Sequence, residues 1–588
     1  MTASPSFAPS RLRVNEILEQ HFDTAFAAPD GIAKLRELIL TLAMQGKLVA
    51  QDPNDPPASE LLKEIDAEKK KVSREGAKTR RGKEKKLPPI KAEEVPYELP
   101  QGWEWVRLGD IVLSITGGGT PSKNNPAYWG GDIPWASVKD LNVEAYLEST
   151  IDSITEKAIR SSSTNLIPKG SIIVCTRMGL GKIAINKIAV AINQDLKALT
   201  ISSHVDQMFF FKKYKNYKIT GSGMTVHGIR QDELLNFLFP LPPLPEQHRI
   251  VARIDQLMAR CDELEKLRKE REEKRLAVHA AAIKQLLDPT LRAFAPSREE
   301  NSSNLRAFAP SCEPFAFLAQ HFGELYTVKE NVAELRKVIL QLAVMGRLAP
   351  QNPNDPPASA LLKEIEIEKQ RLVKAGKIKK PKPLPPIKPE EVPYQLPQGW
   401  EWVRLGEVVS LLGDGIHGTP TYDETGEYFF INGNNLSDGV IEIKENTKRV
   451  SITEYEKRKK ELTDRTVLVS INGTIGNVAF YDGEPVMLGK SACYFNLFTQ
   501  IEKHYIKKLI NSGYFLEYAF KSATGSTIKN VSLKAMREFC IPLPPLPEQH
   551  RIVARIDQLM AFCDTLDKQI DAATEKQTEL LNAVMAQV

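Results

Sequence analysis

The sequence predicts an α+β protein made by internal tandem duplication, in which two β-rich heads of mixed α/β character are joined by long coiled-coil helices. Three blocks recur at nearly constant offsets of 300, 297 and 302 residues. They are NDPPAS at 54–59 and 354–359, VPYELPQGWEWVRLG at 95–109 and VPYQLPQGWEWVRLG at 392–406, and PLPPLPEQHRIVARIDQLMA at 240–259 and 542–561. The 588-residue chain is therefore one unit written twice, far longer than a solenoid repeat of roughly 20–50 residues.

The inserts between the recurring blocks, 112–238 and 409–540, have little sequence in common. Matched frames around unmatched inserts indicate two different binding heads on one repeated scaffold. We call residues 102–242 the first head and residues 399–544 the second head.

The composition is that of an ordinary globular protein, with 42% hydrophobic and 26% charged residues. The net charge of +5 does not by itself argue for nucleic acid. The cysteines have no metal-type spacing and are typical of small buried residues in a reducing cytosol; they are Cys175, Cys261, Cys312, Cys493, Cys540 and Cys563. No signal peptide is recognisable, and the apolar run 38–44 is too short to cross a bilayer, so we expect a cytoplasmic protein.

A helical block precedes each head. Hydrophobic residues at helical spacing over about 11–50 predict the first block, and 311–350 is its counterpart. A short charged helix is predicted near 57–72, followed by a basic, proline-bearing linker, KKKVSREGAKTRRGKEKKLPP. Such a linker builds no core, and we interpret it as a solvated tether or, alternatively, as a non-specific phosphate contact.

Short β-rich runs separated by glycine and proline begin near Trp103 and predict the heads. Examples are IVLSI at 111–115, SIIVCT at 171–176, AVAIN at 189–193, EYFFIN at 427–432 and TVLVSIN at 466–472. The heads end near Pro240 and Pro542, because proline cannot continue a strand interior.

A long helix is predicted after each PLPPLP. Pro245 suits a first helical position, with Glu246 near the positive helix end. The second copy carries an apolar seam typical of a coiled coil: Ile552, Ile556, Leu559, Cys563, Leu566, Ile570, Ala573, Leu580 and Val584. The first copy begins identically with Ile250, Ile254, Leu257, Cys261 and Leu264, then becomes irregular through Arg268 and Arg271. A single helix over 246–288 would span roughly 60 Å and could hold two heads at a fixed separation.

Several motifs fit structure better than catalysis. NDPPAS resembles the Asp-Pro-Pro-aromatic motif of amino-group DNA methyltransferases, but Ala58 and Ala358 replace the aromatic residue, so we predict helix-entry turns. GLGK at 179–182 lacks the first glycine and the Ser/Thr of a phosphate-binding loop. PxxP could bind an SH3-type groove, yet its place at the same boundary twice favours a rigid joint. We find no arrangement of catalytic or metal-ligating residues, and we expect a non-catalytic protein.

Basic residues concentrate inside the heads. Over 169–230, ten Lys/Arg residues face only Asp195 and Asp206, and over 466–539 eight face five acidic residues. Basic surfaces with polar, glycine-bearing loops suit phosphate positioning and base readout, although a merely solvated surface is the alternative. The candidate DNA-binding residues of the first head are Thr120, Ser122, Lys123, Asn124, Arg177, Lys182, Lys212, Lys213, Thr225, His227 and Arg230. Those of the second head are His417, Thr419, Thr421, Tyr422, Asn432, Asn434, Asn435, Asn472, Lys490, Lys521, Thr527, Lys529 and Asn530.

Together these motifs resemble the specificity subunit of type I restriction-modification enzymes, over essentially the whole chain. The resemblance rests on LPxGWxWVRLG opening each head, Gly-Thr-Pro loops at 119–121 and 418–420, and LPPLPEQxRIVxxID closing each head. It implies two target-recognition domains joined by conserved helices that pair antiparallel and set the gap between DNA half-sites.

The resulting domain prediction follows the duplication. It comprises an N-terminal helical region (1–72), a basic linker (73–101), target-recognition domain 1 (102–242), spacer helix 1 (243–290), a connector (291–312), a repeated helical region (313–372), a linker (373–398), target-recognition domain 2 (399–544) and spacer helix 2 (545–588).

The resemblance also implies partners. We expect double-stranded DNA, two methyltransferase subunits and restriction subunits, with no membrane. Adenine N6-methylation and ATP-dependent cleavage would reside in those subunits, together with S-adenosylmethionine, ATP and Mg, and this chain would hold no cofactor or metal. Two other functions stay open on sequence grounds: a self-contained DNA methyltransferase or nuclease with duplicated recognition domains, and a coiled-coil adaptor with no DNA role.

Overall fold

The computed structural model describes residues 26–76, 87–217, 219, 228–288, 317–318, 320–525 and 529–586. The chain divides into two compact units, Met1–Lys269 with Thr574–Val588, and Glu270–Ala573. Both divisions fall within long helices, so each unit contains one head and the far end of the long helix that begins in the other unit.

The first unit begins with two helices and continues into the first head. Its helices are α1 (Gly31–Met44), α2 (Ala58–Gly76), α3 (Leu108–Ile111), α4 (Glu156–Ser161), α5 (Gln207–Asn216), α6 (Gln231–Leu235) and the start of α7 (Leu244–Leu286). Its strands are β1 (Glu104–Arg107), β2 (Val112–Gly117), β3 (Trp129–Ala136), β4 (Tyr146–Leu147), β5 (Asp152–Ile154), β6 (Leu166–Ile167), β7 (Ile172–Cys175), β8 (Ile183–Asn186), β9 (Val190–Ile192), β10 (Leu196–Ile201) and β11 (Leu238–Leu241).

The second unit repeats this order. Its helices are α8 (Phe322–Leu325), α9 (Lys329–Val344), α10 (Ala358–Lys374), α11 (Ile452–Arg458), α12 (Lys503–Ile510), α13 (Gly513–Ser522), α14 (Leu533–Glu538) and most of α15 (Leu546–Ala586). Its strands are β12 (Glu401–Arg404), β13 (Val409–Asp414), β14 (Tyr428–Ile431), β15 (Leu436–Ser437), β16 (Val440–Ile441), β17 (Arg449–Val450), β18 (Thr466–Ser470), β19 (Val478–Phe480), β20 (Val486–Leu488), β21 (Ala492–Leu497) and β22 (Cys540–Leu543).

Each head is built on two main sheets. In the first head the strand orders are β2-β10-β7-β8-β4 and β5-β3-β9-β6, and in the second they are β13-β21-β18-β19 and β17-β14-β20. Strands β7 and β18 are buried along their whole length, which explains the consecutive apolar residues at 172–175 and 467–469. The predicted α+β class and the β-rich heads are confirmed.

A two-stranded sheet closes each head at its base. Strand β1 pairs antiparallel with β11, and β12 pairs with β22 in the same register. Pro240 and Pro542 therefore lie within strands, where we expected the strands to stop. Two-stranded sheets consist only of edge strands, so a residue without a backbone N–H is tolerated there.

The recurring blocks meet at the start of each long helix. In the first unit, Arg249 of α7 forms an ion pair of 2.6 Å with Asp55, which lies in NDPPAS just before α2. The indole Nε1 of Trp103 donates a hydrogen bond of 2.9 Å to Glu246. The three repeated blocks are thus one structural frame, which explains why they changed little while the inserts diverged.

The second unit reproduces the frame. Arg551 forms an ion pair of 2.6 Å with Asp355, and Trp400 Nε1 donates a hydrogen bond of 3.0 Å to Glu548. Helices α2 and α10 start at Ala58 and Ala358, so the prediction that NDPPAS is a helix-entry turn is confirmed.

The long helices α7 and α15 contain 43 and 41 residues. The apolar seam of α15 is buried from Ile552 to Leu566, but Ala573 is exposed and Leu581 replaces Leu580 as the fully buried residue. Leu264, predicted in the seam of α7, is 48% exposed. A strict heptad therefore describes only the first half of each helix.

The ends of the long helices pack on the helical blocks. In the first unit, Leu581 of α15 lies in a cluster with Phe26, Ala28 and Leu38. In the second unit, Ile283 of α7 belongs to the core, and His279 contacts Tyr326 with 3.1 Å between ring nitrogen and hydroxyl. Each helical block is therefore completed by the helix that starts in the other unit.

The described cysteines are free and buried, as predicted, and Cys312 lies outside the described residues. Within the described ranges, no helix combines the length and apolar character needed to span a membrane. The same part of the chain holds no group of three or more His, Cys, Asp or Glu residues arranged to bind a metal ion.

Candidate nucleic-acid interface

Each head carries a hairpin of two buried strands joined by a glycine-bearing turn. In the first head β7 pairs antiparallel with β8, and the turn covers 176–182. In the second head β18 pairs with β19, and the turn covers 471–477. We call these segments the first and second hairpin turns.

The first hairpin turn is fixed by backbone contacts on both sides. Arg177 forms an antiparallel bridge with Gly228, and Ile229 N donates a hydrogen bond of 2.9 Å to Thr176 O. The Cys175 thiol donates to Arg177 O at 2.7 Å, and burial raises the pKa of that thiol. The thiol therefore acts as a neutral hydrogen-bond donor.

The second hairpin turn has the same contacts with different residues. Asn472 forms an antiparallel bridge with Asn530, and Val531 N donates a hydrogen bond of 2.9 Å to Ile471 O. Ser470 Oγ takes the place of the Cys175 thiol and donates to Asn472 O at 3.4 Å. The structure thus makes Arg177 and Asn472 equivalent positions.

Left-handed backbone conformations also match between the two turns. Met178 and Gly473 follow the bridging residues with φ of 61° and 76°, and Gly181 and Gly476 have φ of 86° and 94°. Glycine adopts this region without cost, whereas Met178 does so against its preference.

A cavity of about 400 Å³ opens beside the second hairpin turn. Its lining consists of polar and glycine residues: Asn432, Asn434, Asn472, Gly473, Thr474, Lys490 and Ser491. We call this set the second reading surface. It unites Asn432, Asn434, Asn472 and Lys490, which the sequence analysis drew from three separate segments.

The cavity wall is ordered by a short polar network. Ser491 Oγ donates to Asn432 Oδ1 at 3.1 Å and accepts from Gly433 N at 2.9 Å. Asn432 N donates to Asn435 Oδ1 at 3.0 Å. No described residue accepts a hydrogen bond from the side-chain amide nitrogen (Nδ2) of Asn432, so that donor is available to a ligand.

The first head has the corresponding surface. Ser137 N donates to Asp140 Oδ2 at 2.8 Å, as Asn432 does to Asn435, and Asn193 N donates to Ala136 O at 3.0 Å, as Gly489 N does to Ile431 O at 2.8 Å. The matching residues, which we call the first reading surface, are Ser137, Lys139, Arg177, Met178, Gly179, Gln194 and Asp195.

Sequence reasoning missed Ser137, Lys139 and Gln194 in the first head, and Gly473, Thr474 and Ser491 in the second. A signal was present, because both heads contain a strand followed by a turn of the form Ser/Asn-x-x-Asp/Asn-Leu, at 137–141 and 432–436. Aligning the two inserts on this turn would have located both surfaces.

The other predicted residues of the first head are scattered. Thr120 Oγ1 donates to the side chain of Gln194, so it lies next to the first reading surface. Lys182 Nζ donates to Val138 O at 3.4 Å. Arg230 is exposed and forms an ion pair of 3.0 Å with Glu233. Exposed positions in the loop before Trp129 are occupied by Ser122, Lys123 and Asn124.

Two of the predicted lysines, Lys212 and Lys213, lie on α5, which packs against α1. Lys212 forms an ion pair of 2.6 Å with Asp255 of α7, and Lys508 and Asp557 repeat this pair at 2.5 Å. Lys213 is buried, which lowers its pKa to about 8. Counting charges along the sequence could not reveal these internal roles.

The remaining candidates of the second head surround its reading surface less closely. His417 is exposed and contacts Asp414 at 2.7 Å. Asn435 is buried, and its amide nitrogen donates to Glu442 O at 2.9 Å. Asn530 forms the backbone β-bridge with Asn472. The remaining candidates are exposed: Thr419, Thr421, Tyr422, Lys521 and Lys529. Thr225, His227 and Thr527 lie outside the described residues.

Comparison with known proteins identifies the family. A family model described as the type I restriction modification DNA specificity domain matches residues 100–273 and 397–576. The EcoAI specificity subunit from Escherichia coli is 33% identical over 574 residues, covering 94% of this chain and 93% of that protein. The EcoEI specificity subunit from Escherichia coli is 31% identical over 596 residues with the same coverage.

Among solved structures, the HsdS subunit from Thermoanaerobacter tengcongensis is 18% identical and covers 83% of this chain and 98% of its own, with a TM-score of 0.41. The family model matches both heads, and the relatives match nearly the full length of the chain. The chain therefore belongs to the type I restriction-modification specificity subunits, which recognise DNA and leave catalysis to other subunits.

Proposed function

We propose that this chain directs a type I complex to a bipartite, asymmetric duplex site, with one head reading each half-site. Matched hairpin turns that carry different side chains support this proposal. Arg177 and Asn472 occupy equivalent backbone positions, and Lys139 corresponds to Asn434. Because direct readout depends on donor and acceptor patterns, two surfaces of different chemistry should select two different half-sites.

The repeated frame supplies the spacing. Each long helix starts at the base of a head, where the Glu246 and Glu548 contacts fix its origin, and its more than forty residues give a rod of roughly 60 Å. We propose that these rods hold the heads on one face of the duplex, about a helical turn of about 10.5 bp apart. Antiparallel pairing of the rods is part of this proposal.

The partners follow from the family. We propose that the helices and recurring blocks dock two methyltransferase subunits and, through them, restriction subunits. S-adenosylmethionine, ATP and Mg would be bound by those subunits. The cavity beside the second hairpin turn is lined by polar, basic and glycine residues, which suits a surface that contacts DNA.

Selection from a randomised duplex library tests the proposal. The chain would be assembled with its methyltransferase subunits, bound to the library at fixed salt, and the bound DNA sequenced. We expect a split consensus with two dissimilar halves and a fixed spacer. Enrichment of a continuous or palindromic consensus, or of no sequence, would contradict the proposal.

Exchange of one head tests whether the heads act independently. Replacing residues 103–240 by the equivalent segment of a relative should change one half of the consensus and leave the other half and the spacer unchanged. A change in both halves would show that the heads do not read separately. The unexchanged chain in the same assembly is the control.

The family assignment disfavours both alternative functions. A self-contained methyltransferase would bind S-adenosylmethionine without partners, and calorimetry on the purified chain should detect no such binding. A coiled-coil adaptor would show no steep dependence of DNA affinity on salt, whereas phosphate contacts by basic side chains produce one.

A further inference from the structure

The two hairpin turns present one side chain each from the same backbone position. Arg177 and Asn472 form the equivalent antiparallel bridges, and their carbonyls accept hydrogen bonds from the equivalent Cys175 and Ser470 side chains. The backbone at this position is therefore held on both sides. A side chain that leaves such a backbone is well placed to read a base.

Neither side chain forms a hydrogen bond to a described residue. The Arg177 side chain is 51% exposed, and its ion pair with Asp195 is long, with 3.8 Å between Nε and Oδ1. The Asn472 side chain lines the cavity and forms no hydrogen bond to a described residue. By contrast, the Arg230 side chain forms an ion pair with Glu233, and the Asn435 side chain donates a hydrogen bond to the carbonyl of Glu442.

The residue after Arg177 gives a second, independent indication. Met178 is 68% exposed and has a φ of 61°, where the second turn has Gly473. A large apolar residue in a left-handed conformation with most of its surface exposed gains little from burial, and such outliers collect at binding sites. An apolar contact to a thymine methyl group or a base step would use it.

We infer that residues 177 and 472 are the base-reading positions of the two heads, with Arg177 selecting a guanine in one half-site and Asn472 an adenine in the other. The inference rests on the proposed function. Arginine donates two parallel hydrogen bonds to guanine O6 and N7, and asparagine bonds adenine N6 and N7. The equivalent positions thus differ in the chemistry that distinguishes the two purines.

Reciprocal substitutions in the assembled complex test this assignment. R177N should abolish the preference for guanine at one position of one half-site, a loss of roughly 5- to 150-fold in discrimination. N472R should convert an adenine preference into a guanine preference at one position of the other half-site. Binding to the same randomised library, with sequencing of the bound DNA, measures both effects.

Matched control variants make the same chemical changes elsewhere. R160N removes an exposed arginine of α4 in the first head, and N511R adds one at an exposed position after α12 in the second. Both should leave the consensus unchanged. R177K keeps the charge but loses the planar fork, so it should retain affinity while discrimination falls, and it decides the question if R177N fails to assemble.

The possible results distinguish a failure of this base assignment from a failure of the proposed function. An unchanged consensus for R177N, R177K and N472R overturns the inference while the split consensus of the natural chain upholds the proposed function. If R177N instead removes the preference for a base other than guanine, the inference is also overturned. A natural complex that enriches no split consensus overturns both.

Discussion

The indole nitrogen of Trp400 donates a hydrogen bond of 3.0 Å to Oε2 of Glu548, and Trp103 and Glu246 make the same bond at 2.9 Å in the first unit. Each carboxylate is buried at the start of a long helix, where the head, the helical block and the helix converge. Burial raises the pKa of both groups, and that of Glu548 to about 7.

Replacing Glu548 by Gln is expected to flatten the pH dependence of stability. The folded pKa of about 7 exceeds the ordinary value of 4.5, so the folded state holds a proton that the unfolded chain releases. The resulting stabilisation is fully present below the ordinary pKa and is lost as the pH rises through about 7, with a slope of at most about 1.4 kcal/mol per pH unit.

Urea unfolding of the natural chain and E548Q across this pH range measures the effect. The stability of E548Q should fall less as the pH rises. E517Q, at an exposed position of the same unit, is the control and should follow the natural chain. Parallel curves for E548Q and the natural chain would show that Glu548 titrates normally.

Removing Arg551 is expected to destabilise the second unit. Asp355, whose side chain is 9% exposed, would lose its partner at 2.6 Å and remain as a buried charge. Breaking a fully buried pair costs about 3–5 kcal/mol, and because the Arg551 side chain is 33% exposed the loss here should lie toward the lower end. The repeat offers an internal match, since R249A should destabilise the first unit through Asp55 by a similar amount.

Denaturant midpoints of R551A and R249A report these losses. K534A removes an exposed ion pair with Glu538 and should cost at most about 1 kcal/mol. Equal small effects for all three variants would mean that the repeated ion pairs do not hold the frame.

Lys213→Met is expected to stabilise the first unit without affecting DNA binding. Burial lowers the pKa of Lys213 to about 8, below its ordinary 10.5, so the folded state disfavours the charged form that dominates near neutral pH. The penalty is full below about 8 and disappears as the pH rises through 10.5. Methionine removes it and keeps the apolar stem.

Thermal unfolding near neutral pH should show a higher midpoint for K213M and a smaller gain in alkaline buffer. K215M, at an exposed position of the same helix, is the matched control. Weakened DNA binding by K213M in the assembled complex would contradict the placement of this lysine on the frame.

Lys490→Gln is expected to weaken the binding of all DNA sequences by about the same factor. Lys490 lies exposed at the rim of the second reading surface and corresponds to Gln194 in the first. A lysine that neutralises one phosphate contributes about one unit to the slope of log affinity against log salt. Titrations at several salt concentrations should show this smaller slope, and K534Q should not.

Much of the architecture could be read from the sequence because it is written twice. The blocks around Asp55, Trp103 and Glu246 recur since they contact one another, and three mutually dependent segments tolerate little change. The positions of the strands followed from short apolar runs between glycine and proline. The irregular second half of α7 was visible in the sequence, but the exposure of Leu264 could not be predicted, because the period of a helix does not say which neighbour covers it.

Only some residues of the reading surfaces could be predicted from the sequence. Asn432, Asn472 and Lys490 could be proposed as polar residues in loops, but Lys212 and Lys213 looked equally suitable. In the sequence, a lysine exposed on the surface cannot be told from Lys212, which pairs with Asp255 located 43 residues further along the chain. Ser137 and Gln194 carry no charge, so a search for basic residues passed over them, although the turn at 137–141 was a signal for Ser137.

The sequence by itself determined the duplication, the division into frame and heads, and the family, because these depend on residue identity and spacing along the chain. Only the tertiary structure established that Arg177 and Asn472 are equivalent, since the inserts share little sequence and the match is demonstrated by backbone hydrogen bonds between segments distant in the chain. It also decided which basic residues remain available for DNA, because an ion pair depends on the distance between side chains in space.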